Sequence, residues 1–161
     1  MESLLNTTPR SPHKEYGFTL VELMIVLIVI AIVVSIATMS GLAARVRANE
    51  GTALGSLKAI SSASEIYRNT NGAYPEDLSK LSPDYIAQDL GSGQKGGYAL
   101  ELKSANLGAT FTCTAVPISQ NYTGNKSYCI NVLNAVQVYQ NAPALSADGV
   151  NCPSGGTPLG G

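Results

Sequence analysis

Histidine is almost absent from this chain, and charge is scarce. The 161 residues include one histidine, His13, and 13% charged residues, with a formal net charge of −1. Because the single histidine lies near the N-terminus, the rest of the chain cannot supply a Ser-His or Cys-His nucleophile pair. The charge pattern has neither the basic excess expected of a nucleic-acid partner nor a long acidic run. We therefore expect neither an enzyme nor a nucleic-acid-binding protein.

Common metal and phosphate motifs are also missing. The three cysteines, Cys113, Cys129 and Cys152, form no CxxC pair, and the histidine is far from them in sequence. The glycine-rich stretch GSGQKGG, residues 91–97, lacks the GK[ST] ending of a phosphate-binding loop and is interpreted as a linker. We expect no bound metal and no cofactor.

One long apolar run stands out near the N-terminus. Hydrophobic residues make up 45% of the chain, and residues 18–37 are apolar almost without interruption. About twenty helical residues span roughly 30 Å, the thickness of the hydrocarbon core of a bilayer. Because the run is apolar on every helical face, we predict that residues 18–41 form the membrane-inserting half of an N-terminal helix.

The residues alone leave two interpretations of this N-terminus. Residues 1–16 carry Arg10 and Lys14, which would hold this end in the cytoplasm and direct the C-terminal bulk across the membrane. A secretory signal peptide would be cut after the run, at the small residues 40–41 or 43–44, although the run is long for such a peptide. The alternative is an apolar helix that the mature protein retains.

A single carboxylate, Glu22, lies in the apolar run, within the sequence GFTLVEL, residues 17–23. A carboxylate at the centre of an inserted helix costs about 3 kcal/mol, so such residues usually have a partner. Snorkelling to the membrane interface would explain why the acid is tolerated, but not why it occupies this place in GFTLVEL.

The stretch GFTLVEL resembles the class III leader motif of type IV pilins and pseudopilins. It has a glycine before the cut, an aromatic residue at the new N-terminus and a glutamate at the fifth mature position. The resemblance implies that a prepilin peptidase removes residues 1–17, cutting between Gly17 and Phe18, and N-methylates Phe18. It also implies that Glu22 pairs with the Phe18 ammonium of a neighbouring subunit and sets the register of a filament, since a misplaced subunit would leave both charges unpaired.

The resemblance covers the first third of the chain and does not separate pilins from pseudopilins. It implies that the partners are further copies of the chain, the prepilin peptidase, the pilus assembly machinery and the bacterial inner membrane. The precursor would cross that membrane once, with its C-terminus outside, before joining an extracellular pilus or a periplasmic pseudopilus. Many members carry proline where this chain has Met39, so no helix break is forced there. Gly41 is only a weaker breaker.

Residues 42–161 are predicted to form one exported globular domain. Residues 42–68 contain no proline and show an apolar stripe at helical spacing, which indicates an amphipathic helix to about residue 69. Asn71-Gly72 and Pro75 are typical helix-ending residues. The stripe consists of Val46, Ala53, Leu57, Ile60, Ser64 and Tyr67.

The C-terminal half predicts a sheet. After a polar loop with a short helical turn near residues 75–81, β-rich runs occupy 97–103, 109–118 and 127–140, with a turn at 121–126 and a loop-like tail at 141–161. We therefore predict an α+β fold in which a long N-terminal α-helix, membrane-spanning in its first half, packs on a small antiparallel β-sheet, as in type IV pilins.

The cysteines predict one disulfide and one free thiol in an oxidising compartment. A Cys113–Cys129 bond would join neighbouring strands, whereas Cys129–Cys152 would hold the tail on the sheet, as disulfides in pilins commonly do. Strand alternation places Cys113 on the apolar face with Phe111 and Ala115, and Cys129 on the other face, which favours Cys129–Cys152. A single bulge would reverse this preference.

The predicted function is that of a structural subunit of a type IV pilus-like filament. A pseudopilin of a type II secretion system is the nearest alternative. Calcium-binding acids in the C-terminal loop would favour a major pseudopilin, and only Asp148 is present there. A minor tip pilin that binds DNA or surfaces would need a basic patch. An ordinary membrane-tethered or secreted domain would tolerate any replacement of Glu22.

Overall fold

The computed structural model describes residues 17–159, and the side chains of all of these except residues 36–40. The predicted leader, apart from Gly17, therefore lies outside the described residues. The chain divides into two compact units, Met1–Thr38 and Met39–Gly161. Helix α1, Leu20–Asn71, contributes residues to both units. Met39 and Gly41, the two positions discussed above for a helix break, both lie within the bounds of α1.

The first unit presents its apolar side chains to the exterior. The large apolar side chains between Phe18 and Val34 are 48–78% exposed. Over the described residues, no helix reaches the length and hydropathy that a membrane span requires.

The second unit buries most of the stripe of α1 that the sequence indicates, and Tyr67 is half-buried. Val46, Ala53, Leu57 and Ile60 are buried, and the charged residues of this part of the helix are mostly exposed. The helix ends at Asn71, two residues beyond the expected end. There the Gly72 N–H donates to the Arg68 carbonyl at 2.7 Å, and Gly72 adopts a left-handed φ of 81° that glycine takes without strain.

Short elements connect α1 to the sheet. A 3₁₀ turn, Leu78–Lys80, lies where a helical turn is predicted, and the Asp77 carboxylate caps it by accepting the Ser79 N–H. The next two elements along the chain are not predicted by the sequence. Helix α2 is Gln88–Gly91, and strand β1 is Gln94–Lys95. The interpretation of residues 91–97 as a linker is therefore wrong in part, since β1 pairs with the next strand.

Within residues 17–159, the sheet has six antiparallel strands in chain order, each paired with the next. The predicted α+β class, with a long helix packed on an antiparallel sheet, is confirmed. The run 127–140, expected to be continuous, forms two strands, because a tight turn with Asn134 at φ 56° interrupts it. The remaining strands are β2 Tyr98–Ala105, β3 Thr110–Pro117, β4 Lys126–Asn131, β5 Val136–Gln140 and β6 Thr157–Pro158.

The sheet is covered on both faces. Apolar residues such as Leu100, Phe111 and Ile130 form one core with α1. The opposite face carries buried hydroxyl side chains, and the C-terminal tail, residues 141–159, bonds to them. The Gly149 N–H donates to Thr112 Oγ1 at 2.8 Å, and Ser127 Oγ donates to the Pro143 carbonyl at 2.7 Å. The tail was expected to be only a loop, but its end supplies β6.

Candidate functional site

Gly17 and Phe18 lie just before Thr19, the residue that precedes α1, and Phe18 is 78% exposed. A Cβ added at Gly17 would meet no other described part of the chain within 4 Å, and its φ lies outside the left-handed range. The fold of the described residues therefore does not require glycine at this position. The folded structure therefore does not explain why residue 17 is glycine.

Thr19 and Glu22 form an N-terminal cap of α1 that the sequence analysis did not identify. The Glu22 N–H donates to Thr19 Oγ1 at 3.2 Å, and the Leu23 N–H donates to the Thr19 carbonyl at 3.2 Å. The spacing Thr-x-x-Glu is that of a capping box and could have been recognised in TLVE. A carboxylate in the first turn also interacts favourably with the helix dipole.

The Glu22 carboxylate has no ionic partner within the described chain. The ion pairs there join Lys95 to Asp89, Lys103 to Glu101, and Lys126 to Glu50. Glu22 is exposed, as are the apolar residues around it. The acid therefore combines a local helix-capping position with a charge that remains available to another molecule.

A disulfide joins the tail to the face of the sheet that lies opposite α1. Cys129 and Cys152 form a disulfide with a Cα–Cα distance of 5.7 Å, which is the pairing that strand alternation favours. Cys113 is a free thiol, fully buried in the core. Burial raises the pKa of this thiol far above its ordinary value.

The described residues contain no group of three or more His, Cys, Asp or Glu side chains placed to hold a metal ion. Asp148, the single acid of the tail, uses its carboxylate within the chain. Its Oδ1 accepts the N–H groups of Val150 and Asn151 at 2.7 and 3.0 Å. This hydrogen-bonding pattern is that of a local turn.

The comparison with known families concerns the N-terminal segment. Residues 12–38 match the family described as the prokaryotic N-terminal methylation motif. No curated protein and no solved structure matches this chain. The matched segment contains Gly17, Phe18, the Thr19 cap and Glu22. Residues 12–38 of this chain therefore carry the prokaryotic N-terminal methylation motif.

Proposed function

We propose that this chain is a non-enzymatic structural subunit of a type IV pilus-like filament. One observation carries the proposal: the methylation motif coincides with a segment, Phe18 to Val34, that exposes large apolar side chains and is helical from Leu20 onward. An apolar surface of this extent requires a membrane or protein partner. A precursor stored in the bacterial inner membrane, with its C-terminus outside, and later packed among copies of itself would cover that surface in both states.

The surroundings of Gly17 support proteolytic processing. Since no close contact or left-handed backbone requires glycine there, recognition by a prepilin peptidase is a consistent reason for it. Cleavage would occur between Gly17 and Phe18, with N-methylation of Phe18. The mature chain would begin one residue before the Thr19 cap, so the retained helix would keep its first turn.

The unpaired charge of Glu22 supports a role in filament register. In the filament, the carboxylate would pair with the Phe18 ammonium of a neighbouring subunit. An unpaired charge buried among apolar helices costs several kcal/mol, so subunits in the wrong register would be disfavoured. Helix capping explains why an acid lies at the start of α1. It does not require a positively charged partner on another subunit, so capping and pairing are separate roles of Glu22.

The second unit presents a helix face on which another helix could pack closely. Gly51 and Gly55 lie in α1, and added Cβ atoms at both positions would meet nothing within 4 Å. Each glycine within a helix costs about 1 kcal/mol relative to alanine. Close packing of a second subunit's backbone against this face would explain why glycine is present there despite that cost.

The proposal is tested by N-terminal mass spectrometry of protein sheared from the cell surface. A chain that starts at N-methylated Phe18 in this fraction supports a pilus subunit. If methylated Phe18 is found only in the membrane fraction, the alternative of a type II secretion pseudopilin is favoured. A chain that starts near Ala43, or that is uncut, contradicts both. A minor subunit that binds DNA or surfaces at the filament tip would be present in the sheared fraction at low abundance.

Two substitutions separate charge pairing from helix capping. Glu22→Gln removes the charge but keeps a side chain that suits the third position of a capping box. Thr19→Ala removes the cap, at a cost of about 1 kcal/mol, and keeps the charge. We expect filaments to be lost with Glu22→Gln and retained with Thr19→Ala, at similar precursor levels. Filament loss with Thr19→Ala alone would contradict the pairing role.

A further inference from the structure

An open cavity of about 580 Å³ lies between α1 of the second unit and the chain around the β3–β4 connection, and the filament role does not use it. Its volume is in the range of small-molecule sites. Helix α1 contributes apolar and charged side chains, and the opposite wall contributes amides and a lysine. The cavity is therefore amphipathic, with both signs of charge.

Glu50 supplies the negative charge of the cavity, and its side chain is only 14% exposed. One carboxylate oxygen accepts the Asn125 N–H at 3.1 Å. The other lies 3.8 Å from Lys126 Nζ, which is beyond hydrogen-bonding distance. This second oxygen therefore retains the capacity to accept N–H donors from a ligand.

Arg47 lines the same cavity, three residues before Glu50 on α1. Residues at this spacing lie on one face of a helix. Among the ion pairs of the described chain, none includes Arg47. An uncommitted guanidinium is thus placed near a carboxylate that has spare hydrogen-bonding capacity.

The apolar part of the cavity lies toward the N-terminal end of this helix segment. Leu42 and Val46 line it, and Leu42 is 45% exposed. Leu42 follows the apolar run, which ends at Ala37, by five residues in the sequence. Of the residues of α1 that line the cavity, the apolar ones are therefore closest in sequence to the apolar run, which we propose is held in the membrane.

We propose that this cavity binds a zwitterionic phosphoethanolamine group, with the headgroup of a membrane phospholipid as its source in the stored precursor. The guanidinium of Arg47 and the ammonium of Lys126 would bind the phosphate, a geometry for which arginine is well suited. Glu50 would accept the N–H donors of the ethanolammonium group. Leu42 and Val46 would contact the apolar part of the lipid. The assignment of a membrane phospholipid as the source of this group depends on the membrane storage proposed above. The binding chemistry of the cavity does not depend on it.

The test uses the full-length chain in nanodiscs of phosphatidylcholine that contain phosphatidylethanolamine or phosphatidylglycerol, with bound lipids counted by native mass spectrometry. We expect phosphatidylethanolamine adducts to be about tenfold more occupied than either other lipid, because choline cannot donate N–H hydrogen bonds and glycerol lacks the cation. Equal occupancy of the three lipids would overturn the proposal. A preference for phosphatidylglycerol would indicate a simple anion site and would overturn it as well.

Two conservative variants and a matched control assign the binding to the cavity. Arg47→Gln and Glu50→Gln should each lower phosphatidylethanolamine occupancy about tenfold. Glu50→Gln keeps an oxygen that can accept the Asn125 N–H, so the loop contact is retained. Arg45→Gln removes the same charge from the same helix outside the cavity lining and should leave occupancy unchanged. Unchanged occupancy in both cavity variants would contradict the assignment.

Soluble O-phosphoethanolamine distinguishes the two sources of the group. Displacement of the lipid adduct by the soluble compound supports a site that recognises the headgroup itself, including a free one. Retention of the adduct, with the variant effects intact, supports a site that needs the lipid. If the chain fails to enter nanodiscs, membrane storage is contradicted, while direct binding of O-phosphoethanolamine to wild type but not to Arg47→Gln still supports the cavity. Absence of both kinds of binding overturns it.

Discussion

Cys113 and Cys129 lie on neighbouring strands but face opposite sides of the sheet. Thr114 is opposite Cys129 in the register, and Cys113 is opposite Ile130. The free thiol therefore faces α1, whereas the disulfide lies beneath the tail. Exchange between a thiol and a disulfide requires direct approach of a thiolate to sulfur. The sheet itself prevents that approach in the folded chain.

We predict that Cys113 does not react with a thiol reagent while the protein is folded. Burial raises its pKa, so the thiol stays protonated at neutral pH as well as being inaccessible. Absorbance after addition of an aromatic disulfide reagent should show no labelling of the native protein and one thiol per chain in denaturant. Cys113→Ala supplies the matched blank. Rapid labelling under native conditions would contradict the buried position.

At the scale of the element, α1 contains glycines that the fold of the subunit does not require. We predict that Gly51→Ala and Gly55→Ala each raise the free energy of unfolding by about 0.5–1 kcal/mol, since alanine is the better helix former and the added methyl meets nothing. Chemical denaturation of the purified subunit would measure the gain. If a second helix packs there in the filament, the same variants should lower filament yield.

Gly149 provides a contrasting control for these substitutions. Its φ is +82°, and an added Cβ would lie 2.5 Å from the backbone carbon of Ser104. Gly149→Ala should therefore destabilise the tail, by about 1–3 kcal/mol for the strained backbone alone. A gain in stability at Gly149, or a loss at Gly51, would contradict the packing described for these two elements.

The tail depends partly on a carboxylate, which makes its attachment sensitive to acid. Burial acts to raise the pKa of Glu101, but hydrogen bonds from Lys103 and from the Ala147 N–H outweigh it and hold the pKa below its ordinary value of 4.5. A depressed carboxyl pKa stabilises the fold above pH 4.5, and that contribution is lost as the pH falls through the lowered value. The effect is below about 1 kcal/mol, because the 41% exposed side chain is screened by solvent.

Amide hydrogen exchange tests this acid sensitivity at two neighbouring positions. Protection of the Ala147 amide, which donates to Glu101, should decrease below pH 4.5. The Gly149 amide, which donates to the neutral Thr112 hydroxyl at 2.8 Å, should lose less protection. Glu101→Gln should abolish the pH dependence at Ala147. Equal loss at both amides would show instead that the tail detaches as one unit.

At the scale of the whole molecule, the core contains two buried tyrosines whose rings lie 6.1 Å apart, Tyr98 and Tyr128. Burial, and secondarily the charge of Glu50, raises the pKa of Tyr128 to about 12. The pKa of Tyr98 is raised for the same main reason, with further contributions from Tyr128 and Glu50. Both phenols are therefore neutral in the folded core at neutral pH.

We predict that the second unit unfolds in alkali as these phenols ionise. A raised phenol pKa leaves its stabilisation complete below the ordinary value of 10.0, and it is lost as the pH rises from 10 toward 12. In that window, ionisation of each phenol lowers the free energy of unfolding by up to about 1.4 kcal/mol per pH unit. Circular dichroism and tyrosinate absorbance should change together. Tyr128→Phe should move the midpoint upward, whereas Tyr122→Phe, at an exposed position, should not.

Local sequence signals account for the larger elements. The stripe through Leu57 and Ile60 predicted the buried face of α1, and Asn71-Gly72 predicted its end within two residues. The split of the run 127–140 was missed, because the turn at Asn134 carries no glycine or proline to mark it. Strands β1 and β6 were missed because two-residue strands exist only through their partners. The Thr19 cap, in contrast, has a local sequence signal, the Thr-x-x-Glu spacing of a capping box.

The sequence by itself determined the methylation motif, the apolar N-terminal helix and the α+β class, because motif, hydropathy and helical period are properties of adjacent residues. The tertiary structure alone decided that the tail covers the hydroxyl-bearing face of the sheet and that Glu50 lies near Lys126 in one cavity. It also separated Cys113 from the disulfide. These features join residues distant in sequence, and their arrangement depends on strand register, which a shift of one residue would reverse.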